Sequence, residues 1–232
     1  MENLFDTHFH LDLQKDRAAA IRQIEEQRIY TIAVTNLPDL YRKEKSEVAS
    51  KYIRFALGFH PELVHQYPSQ IPLMWELLPE ARYIGEVGLD FVDKSHHREQ
   101  EAFFSELVER CRYDKSKIIT IHSRKAVKQV LDIAGTNFRF KPILHWFSGN
   151  KEELLKAIEL GFYISINGAM ASSVKFQSLL PIIPNERLLL ETDSPFTNMV
   201  INHSSTLRVI KEMLERQNEG LSLWENFKKL LD

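Results

Sequence analysis

Cysteine is nearly absent from this sequence, in which Cys111 is a single occurrence among 232 residues. A lone cysteine excludes an intramolecular disulfide and a cysteine-rich zinc module. The chain also lacks a basic segment ahead of an apolar one at its start, and no apolar run approaches the ~18 residues that a membrane-spanning helix needs. From these absences we expect a cytoplasmic protein that does not cross a membrane.

A strong charge of either sign is also lacking. Lysine and arginine number 30 against 32 aspartate and glutamate residues, which gives a net charge of -2 at pH 7. This balance excludes the broadly basic surface that holds duplex nucleic acid regardless of its sequence. Any contact with a polyanion must therefore be local.

Glycine and proline are sparse, with 8 and 9 residues, and they form no cluster that would mark a linker. The sequence shows no low-complexity tract and no internal repeat. Because 44% of the residues are hydrophobic, the chain has enough apolar material for one large core. We therefore predict a single domain over residues 1–232.

Eight short apolar runs, rich in β-branched or aromatic residues, recur along the chain. They cover residues 4–7, 30–35, 53–58, 83–87, 117–121, 142–144, 162–166 and 188–191, and segments with helical spacing such as 17–27, 100–113 and 152–160 lie between them. This alternation predicts buried parallel strands joined by helical crossovers, and thus an α/β fold of the (β/α)8 TIM-barrel type. A doubly wound open sheet fits the same alternation, but no Gly-x-Gly-x-x-Gly follows the first run.

Side chains that can bind metal ions recur where the predicted strands end. Because the carboxyl ends of parallel barrel strands converge on one rim, these side chains should meet in one cluster. Core packing gives no reason for histidine to recur there, since a buried imidazole needs a hydrogen-bond partner. The residues are His8 and His10 after the first run, His60 after the third, Glu86 in the fourth, His122 after the fifth, His145 after the sixth and Asp193 after the eighth.

Several of these residues stand in short motifs whose chemistry suits metal binding. His8 and His10 are two residues apart, so on an extended segment both imidazoles point the same way and can hold one ion. Glu86 stands between glycines, where the backbone can approach a ligand closely and the carboxylate can bridge two cations. Each motif alone also fits an ordinary turn, and only their joint occurrence favours a shared metal centre.

The sequence resembles the TatD-like metal-dependent hydrolases and deoxyribonucleases, a family of amidohydrolase-type barrels. The resemblance runs from His8 to Pro195 and rests on His-x-His, Gly-Phe-His-Pro at 58–61, Gly-Glu-Val-Gly-Leu-Asp, His-Ser-Arg, His-Trp-Phe-Ser-Gly and Glu-Thr-Asp-Ser-Pro. It implies a centre of two metal ions at the barrel rim. By this resemblance, the ligands of one ion are His8, His10 and Asp193, those of the other are His122 and His145, and Glu86 bridges the two.

The expected activity is metal-dependent hydrolysis of a phosphodiester, with DNA as the first candidate substrate. Two divalent cations would activate a water molecule and stabilise the leaving oxygen. Glu86 and Asp193 are the predicted catalytic residues, and Asp193 would also orient or deprotonate the nucleophile. The ligand types do not rank zinc, manganese and magnesium. Hydrolysis of an ester or amide bond uses the same set of groups and stays an alternative.

His60 and Arg124 are predicted to contact the phosphate of the substrate. The planar guanidinium of Arg124 suits phosphate oxygens, and His60 can donate a hydrogen bond to one of them. The competing interpretations are a histidine that stabilises the turn before Pro61 and a salt bridge at the start of a helix.

The segment after Asp193 departs from the pattern of the family. Family members usually have a longer loop with a start similar to Tyr-Leu-Ala-Pro, whereas here Phe196-Thr-Asn-Met-Val-Ile-Asn-His leads almost directly into the last helices. A shortened loop removes expected substrate contacts. It favours a second hypothesis, a metal-binding barrel subunit with protein partners in a multi-gene assembly, such as an antiphage defence system.

Overall fold

The structure is a computed structural model, and it describes residues 3–93, 95–197 and 203–232. The strands are β1 (Phe5–Phe9), β2 (Tyr30–Val34), β3 (Ile53–Ala56), β4 (Tyr83–Gly88), β5 (Ile118–His122), β6 (Lys141–Leu144), β7 (Tyr163–Ile166) and β8 (Leu188–Leu190). The α-helices are α1 (Arg17–Gln27), α2 (Pro38–Glu47), α3 (Pro61–Val64), α4 (Ile71–Leu77), α5 (His97–Cys111), α6 (Val127–Ala134), α7 (Lys151–Glu159), α8 (Gly168–Ala171), α9 (Val174–Leu179), α10 (His203–Gln217) and α11 (Leu223–Leu231).

The strands follow one another in chain order and pair in parallel. Strands β1 to β3 form one hydrogen-bonded set and β4 to β8 another. The two sets meet where Leu57 N–H donates to Tyr83 O at 2.9 Å and Gly85 N–H donates to Leu57 O at 2.9 Å. The last strand returns to the first where Asp193 N–H donates to His8 O at 2.9 Å. The chain is therefore a (β/α)8 barrel, as the alternation in the sequence predicted.

The amino-terminal end of the barrel is closed by the last helix. Phe5 at the start of β1 stacks on Phe227 of α11, with ring centroids 4.3 Å apart. Lys141 Nζ, at the start of β6, donates to the carbonyl of Leu230 at 3.0 Å. The apolar face of α11 is thus buried in the core, which leaves the opposite, carboxyl end of the strands as the open rim.

Two strands that carry predicted ligands are irregular. The register of β1 against β2 shifts across the stretch that holds His8, and that of β4 against β5 shifts across the stretch that holds Glu86. Such shifts re-aim side chains out of the regular alternation. Gly85 and Gly88 flank Glu86 with φ of 151° and 134°, and a Cβ on Gly88 would lie 2.1 Å from the carbonyl oxygen of His122. Glycine is required there because β4 and β5 approach each other too closely for a side chain.

The helices surround the strands, and none of those in the described ranges combines the length and apolarity that a bilayer crossing requires. The segment that the sequence predicts to be a shortened loop falls largely on residues 198–202, which lie outside the described residues.

Candidate metal centre

The structure brings the six predicted metal ligands together at the carboxyl rim. Five of them are buried, and the side chain of His122 is 15% exposed. Most of them line a cavity of about 510 Å³ that opens at the rim. The ligands come from β1, β4 and β5 and from the turns after β1, β6 and β8, and they are His8, His10, Glu86, His122, His145 and Asp193.

The two carboxylate oxygens of Glu86 face two different groups of side chains. Oε2 lies 3.6 Å from His8 Nε2 and 3.5 Å from His10 Nε2. Oε1 lies 2.6 Å from His122 Nδ1 and 3.0 Å from His145 Nε2. One carboxylate therefore lies between two groups of imidazoles. The first group contains His8 and His10, and the second contains His122 and His145.

Asp193 completes the first group. Its Oδ1 lies 3.7 Å from His8 Nε2 and 3.4 Å from His10 Nε2, and one ligand atom from each of these three residues lies within 4.8 Å of the others. In the part of the chain that the structure describes, His8 Nε2 and Asp193 Oδ1 are buried without a hydrogen-bond partner. A buried polar atom without a partner costs free energy. A cation between these atoms would satisfy both, so the residues fit a metal ion.

His60 lies beside the second group. Its Nε2 is 3.7 Å from Glu86 Oε1, and His60, Glu86 and His122 form a further set of ligand atoms within 4.8 Å of one another. Burial lowers the pKa of His60 to about 4. The imidazole is therefore neutral near pH 7, and its one lone pair, on Nδ1, accepts a hydrogen bond from the backbone N–H of Glu62 at 3.3 Å. His60, predicted from the sequence to contact substrate, thus stands within reach of the candidate metal ligands.

In the second group, the ring nitrogen of each imidazole that does not face Glu86 faces another carboxylate. Asp90 Oδ2 lies 2.8 Å from His122 Nε2, and Glu191 Oε1 lies 3.6 Å from His145 Nδ1. A carboxylate in this position orients a ligating imidazole and increases its basicity. Asp90 and Glu191 are not among the site residues that the sequence predicts. For Glu191, the available sequence signal was an acid at the end of the apolar run Leu-Leu-Leu-Glu at 188–191.

The close packing of acids and imidazoles shifts their pKa values. Burial alone would raise the pKa of Glu86, but the surrounding imidazoles hold it well below its ordinary value. Burial lowers the pKa of His122 and of His145, yet the carboxylates on either side of each ring more than offset this. The pKa of His122 is raised, and that of His145 is raised well above its usual range. In the absence of a metal ion, both rings therefore keep their second proton to higher pH than an ordinary histidine does.

Asp6, a buried aspartate, bonds to the backbone where the last strand meets the first, next to the first group of ligands. Asp6 accepts hydrogen bonds from the backbone N–H of His8 at 3.0 Å and of Thr192 at 3.1 Å. His203 Nε2, at the start of α10, lies 2.8 Å from the other oxygen of Asp6. Asp193, the next residue after Thr192, has a φ of 50°, and such left-handed backbone is often held in place at functional sites. Asp6 thus fixes the backbone on both sides of the first group.

Comparison with known proteins points to one family. The family model described as TatD related DNase matches residues 5–230 of the chain. The uncharacterized metal-dependent hydrolase YabD of Bacillus subtilis is 29% identical over 206 residues, which cover 83% of this chain and 80% of YabD. The 3'-5' ssDNA/RNA exonuclease TatD of Erwinia billingiae is 27% identical over 205 residues, with coverage of 84% and 77%.

Solved structures show the same fold. The crystal structure of YjjV, a TatD homolog from Escherichia coli, matches with a TM-score of 0.80 at 20% identity and covers 98% of this chain and 95% of that chain. A TatD family hydrolase from Entamoeba histolytica matches with a TM-score of 0.73 at 16% identity, covering 99% and 96%. At these identities the structures support the barrel fold alone.

Proposed function

The chain belongs to the family of TatD-related DNases and is a metal-dependent hydrolase, and from this premise we propose that it cleaves phosphodiester bonds of nucleic acid with two divalent metal ions. The observation that carries the proposal is the shared carboxylate of Glu86. Its two oxygens face two separate groups of imidazoles, as expected for a ligand that bridges two ions.

The first ion would be held by His8, His10 and Asp193, and the second by His122 and His145, with Glu86 between the two. The unpartnered Nε2 of His8 and Oδ1 of Asp193 support the first site. Imidazole nitrogens and carboxylate oxygens accept zinc, manganese and magnesium. The identity of the metal is therefore a matter for elemental analysis of the purified protein.

Divalent cations in such a centre polarise a phosphoryl oxygen and lower the pKa of water. The protein supplies the remaining chemistry. Asp193 lines the open cavity, where its carboxylate can accept the proton of the attacking nucleophile. Arg124 lines the same cavity and can donate two parallel hydrogen bonds to phosphate oxygens. Asp90 and Glu191 orient the rings of His122 and His145.

The proposal is tested by a survey of metals and substrates. Purified protein is stripped of metal, reloaded with zinc, manganese or magnesium, and incubated with single-stranded DNA, duplex DNA, RNA, simple phosphodiesters and acyl esters. We expect cleavage of phosphodiesters only in the reloaded samples. Cleavage confined to acyl esters would replace the nuclease proposal by the alternative ester or amide chemistry.

We expect Glu191→Gln to weaken metal binding without unfolding the protein. Glutamine keeps the size of the side chain and can still bond to the N–H of Trp146, the amide of Asn167 and the hydroxyl of Ser165. The negative charge beside His145 is lost, and losing such a partner lowers metal affinity about 10- to 100-fold. Calorimetric titration with the metal measures the change. Wild-type affinity in the variant would show that Glu191 has only a packing role.

Replacing Arg124 with alanine should chiefly weaken substrate association. One phosphate contact changes the slope of log affinity against log salt by about 0.7 for a single strand and about 0.9 for duplex DNA. Fluorescence anisotropy with a labelled oligonucleotide at several salt concentrations measures that slope. Lys128→Ala is the control, because Lys128 is exposed and pairs with Asp132 on α6. An equal slope for Arg124→Ala and the wild type would exclude a phosphate contact.

Metal binding should release protons, and the affinity for metal should fall as the pH decreases. The pKa of both His122 and His145 is raised in the metal-free protein. Each ring therefore holds a proton at pH values where an ordinary histidine has lost it, and a bound cation must displace that proton. Calorimetry near neutral pH in two buffers of different ionisation enthalpy counts the protons. Binding heats that do not depend on the buffer would contradict this expectation.

Beside the roles of the site residues and the number and identity of the metal ions, four further expectations from the sequence stay predictions. They are a single domain over residues 1–232, a cytoplasmic location, protein partners in a multi-gene assembly, and a role in antiviral defence. Size-exclusion chromatography with light scattering, on the chain alone and co-purified with the products of neighbouring genes, tests the partners. A monomer that elutes separately from every neighbour would argue against the assembly.

A further inference from the structure

A second cavity adjoins the metal centre on the barrel rim. It has a volume of about 290 Å³ and lies between the β6–α7 loop and the helices that follow β7. Trp146 and Ser148 line both this cavity and the larger one that contains the metal centre. We call the smaller one the side cavity. Its floor is apolar and consists of the buried residues Phe147, Met170, Phe176 and Leu179.

A cationic group lies beside a residue that both cavities share. Lys175, on α9, extends across the rim, and its Nζ donates to the carbonyl oxygen of Ser148 at 3.0 Å. Lys175 lines the side cavity and not the larger one, and its ammonium lies against Ser148, a residue that both cavities share. An ammonium has three N–H donors, and this contact uses one of them. The other two can bind an anionic group that passes from one cavity to the other.

The backbone of Trp146, a residue that lines both cavities, is bonded to a carboxylate of the candidate metal centre. Its backbone has a φ of 40°, and its N–H donates to Glu191 Oε1 at 3.0 Å. The same carboxylate lies beside His145. The backbone of Trp146 is therefore tied to a carboxylate that lies beside a candidate metal ligand, and Trp146 lines both cavities.

We propose that the side cavity binds the nucleobase next to the scissile phosphodiester, and that Lys175 contacts the adjoining phosphate. The inference rests on the proposed nuclease function. Three features favour a base: an apolar floor, an aromatic wall on which bases stack without regard to sequence, and a cation beside the residue that the two cavities share. A base must be unpaired and unstacked to enter a recess of this kind.

The test fills the side cavity and removes its cation in separate variants. Ala169→Trp places an indole at the mouth of the cavity from an exposed position, and Lys175→Gln removes the ammonium. The matched controls are Val174→Trp, at a position that is 84% exposed and does not line the cavity, and Lys128→Gln. The substrates are a short oligothymidylate and bis(p-nitrophenyl) phosphate, a phosphodiester without a base, each with manganese.

The measured quantity is the ratio of kcat/KM for oligothymidylate to kcat/KM for the small diester. We expect Ala169→Trp to lower this ratio on the order of ten-fold, since stacking of one base is lost. Lys175→Gln should lower the ratio and reduce the salt slope of oligothymidylate binding by about 0.7. The controls should keep the wild-type ratio. The ratio separates loss of the subsite from general damage, which would affect both substrates alike.

Failure of this inference and failure of the proposed function give different results. A wild-type protein that cleaves neither substrate with any of the three metals would overturn the nuclease proposal itself. Cleavage of oligothymidylate by the wild type, together with unchanged ratios in both variants, would overturn the side cavity as a base site and leave the nuclease proposal standing. Lys175 is exposed, so its variant keeps the test decisive even if Ala169→Trp does not fold.

Discussion

Glu86→Ala is expected to lose both metal ions and to lower phosphodiester cleavage by at least about 10³-fold, which corresponds to roughly 4 kcal/mol of transition-state stabilisation. Each oxygen of Glu86 faces a different pair of imidazoles. One substitution therefore removes an anionic ligand from both groups. Elemental analysis of the purified variant gives the metal content, and initial rates on single-stranded DNA give the activity.

The control for this variant is Glu62→Ala. Glu62 lines the same cavity, but its side chain is 55% exposed, so it tests whether the loss of any nearby acid is sufficient. Glu86→Gln, which keeps the shape of the side chain, separates the loss of charge from the loss of volume. Two equivalents of tightly bound metal in Glu86→Ala would refute the bridging role.

Asp193→Asn is expected to keep the fold while losing metal affinity and most turnover. The bond between β8 and β1 at this position is made by the backbone N–H of Asp193 and not by its side chain. Asparagine also tolerates the left-handed φ of 50° that Asp193 adopts. The amide cannot serve as an anionic ligand or accept the proton of the nucleophile. We expect kcat to fall about 10²- to 10⁴-fold.

Three measurements distinguish the possible causes of that loss. Thermal unfolding of the variant and of the wild type, both stripped of metal, should match, metal content should fall, and oligonucleotide binding should decrease less than kcat. Asp93→Asn provides a matched control, since Asp93 is an exposed acid of the loop after β4. Full turnover by Asp193→Asn would assign proton acceptance to another group, and normal metal content would remove Asp193 from the first site.

The sequence predicted the elements well where the local pattern was clear. The run at 83–87 corresponds to β4 (Tyr83–Gly88), and the segment at 17–27 corresponds to α1 (Arg17–Gln27), which Asp16 caps. The sequence predicts a helix that begins at residue 100, whereas α5 begins three residues earlier, at His97. The difference arises because His96, at the N-cap, is not a usual capping residue and makes no capping hydrogen bond through its side chain. The predicted first strand ended at residue 7, whereas β1 extends to Phe9, since a buried histidine interrupts the apolar pattern inside the strand.

The amino-acid sequence was sufficient to identify which side chains could form the centre. Strand ends can be recognised locally, and parallel strands bring their carboxyl ends to one rim. His8, Glu86, His122 and Asp193 could therefore be assigned to one place from the order of the residues along the chain.

Which of these side chains contact one another depends on the three-dimensional arrangement of the strands. That arrangement sets which oxygen of Glu86 faces which imidazoles and which acids lie beside His122 and His145. It also brings Asp6 into contact with Thr192, which is 186 positions away in the chain. It also places Trp146 and Lys175 around a second cavity. Periodicity and spacing reflect neighbours along the chain. The orientation of a buried polar group depends instead on partners from distant strands, which no local pattern contains.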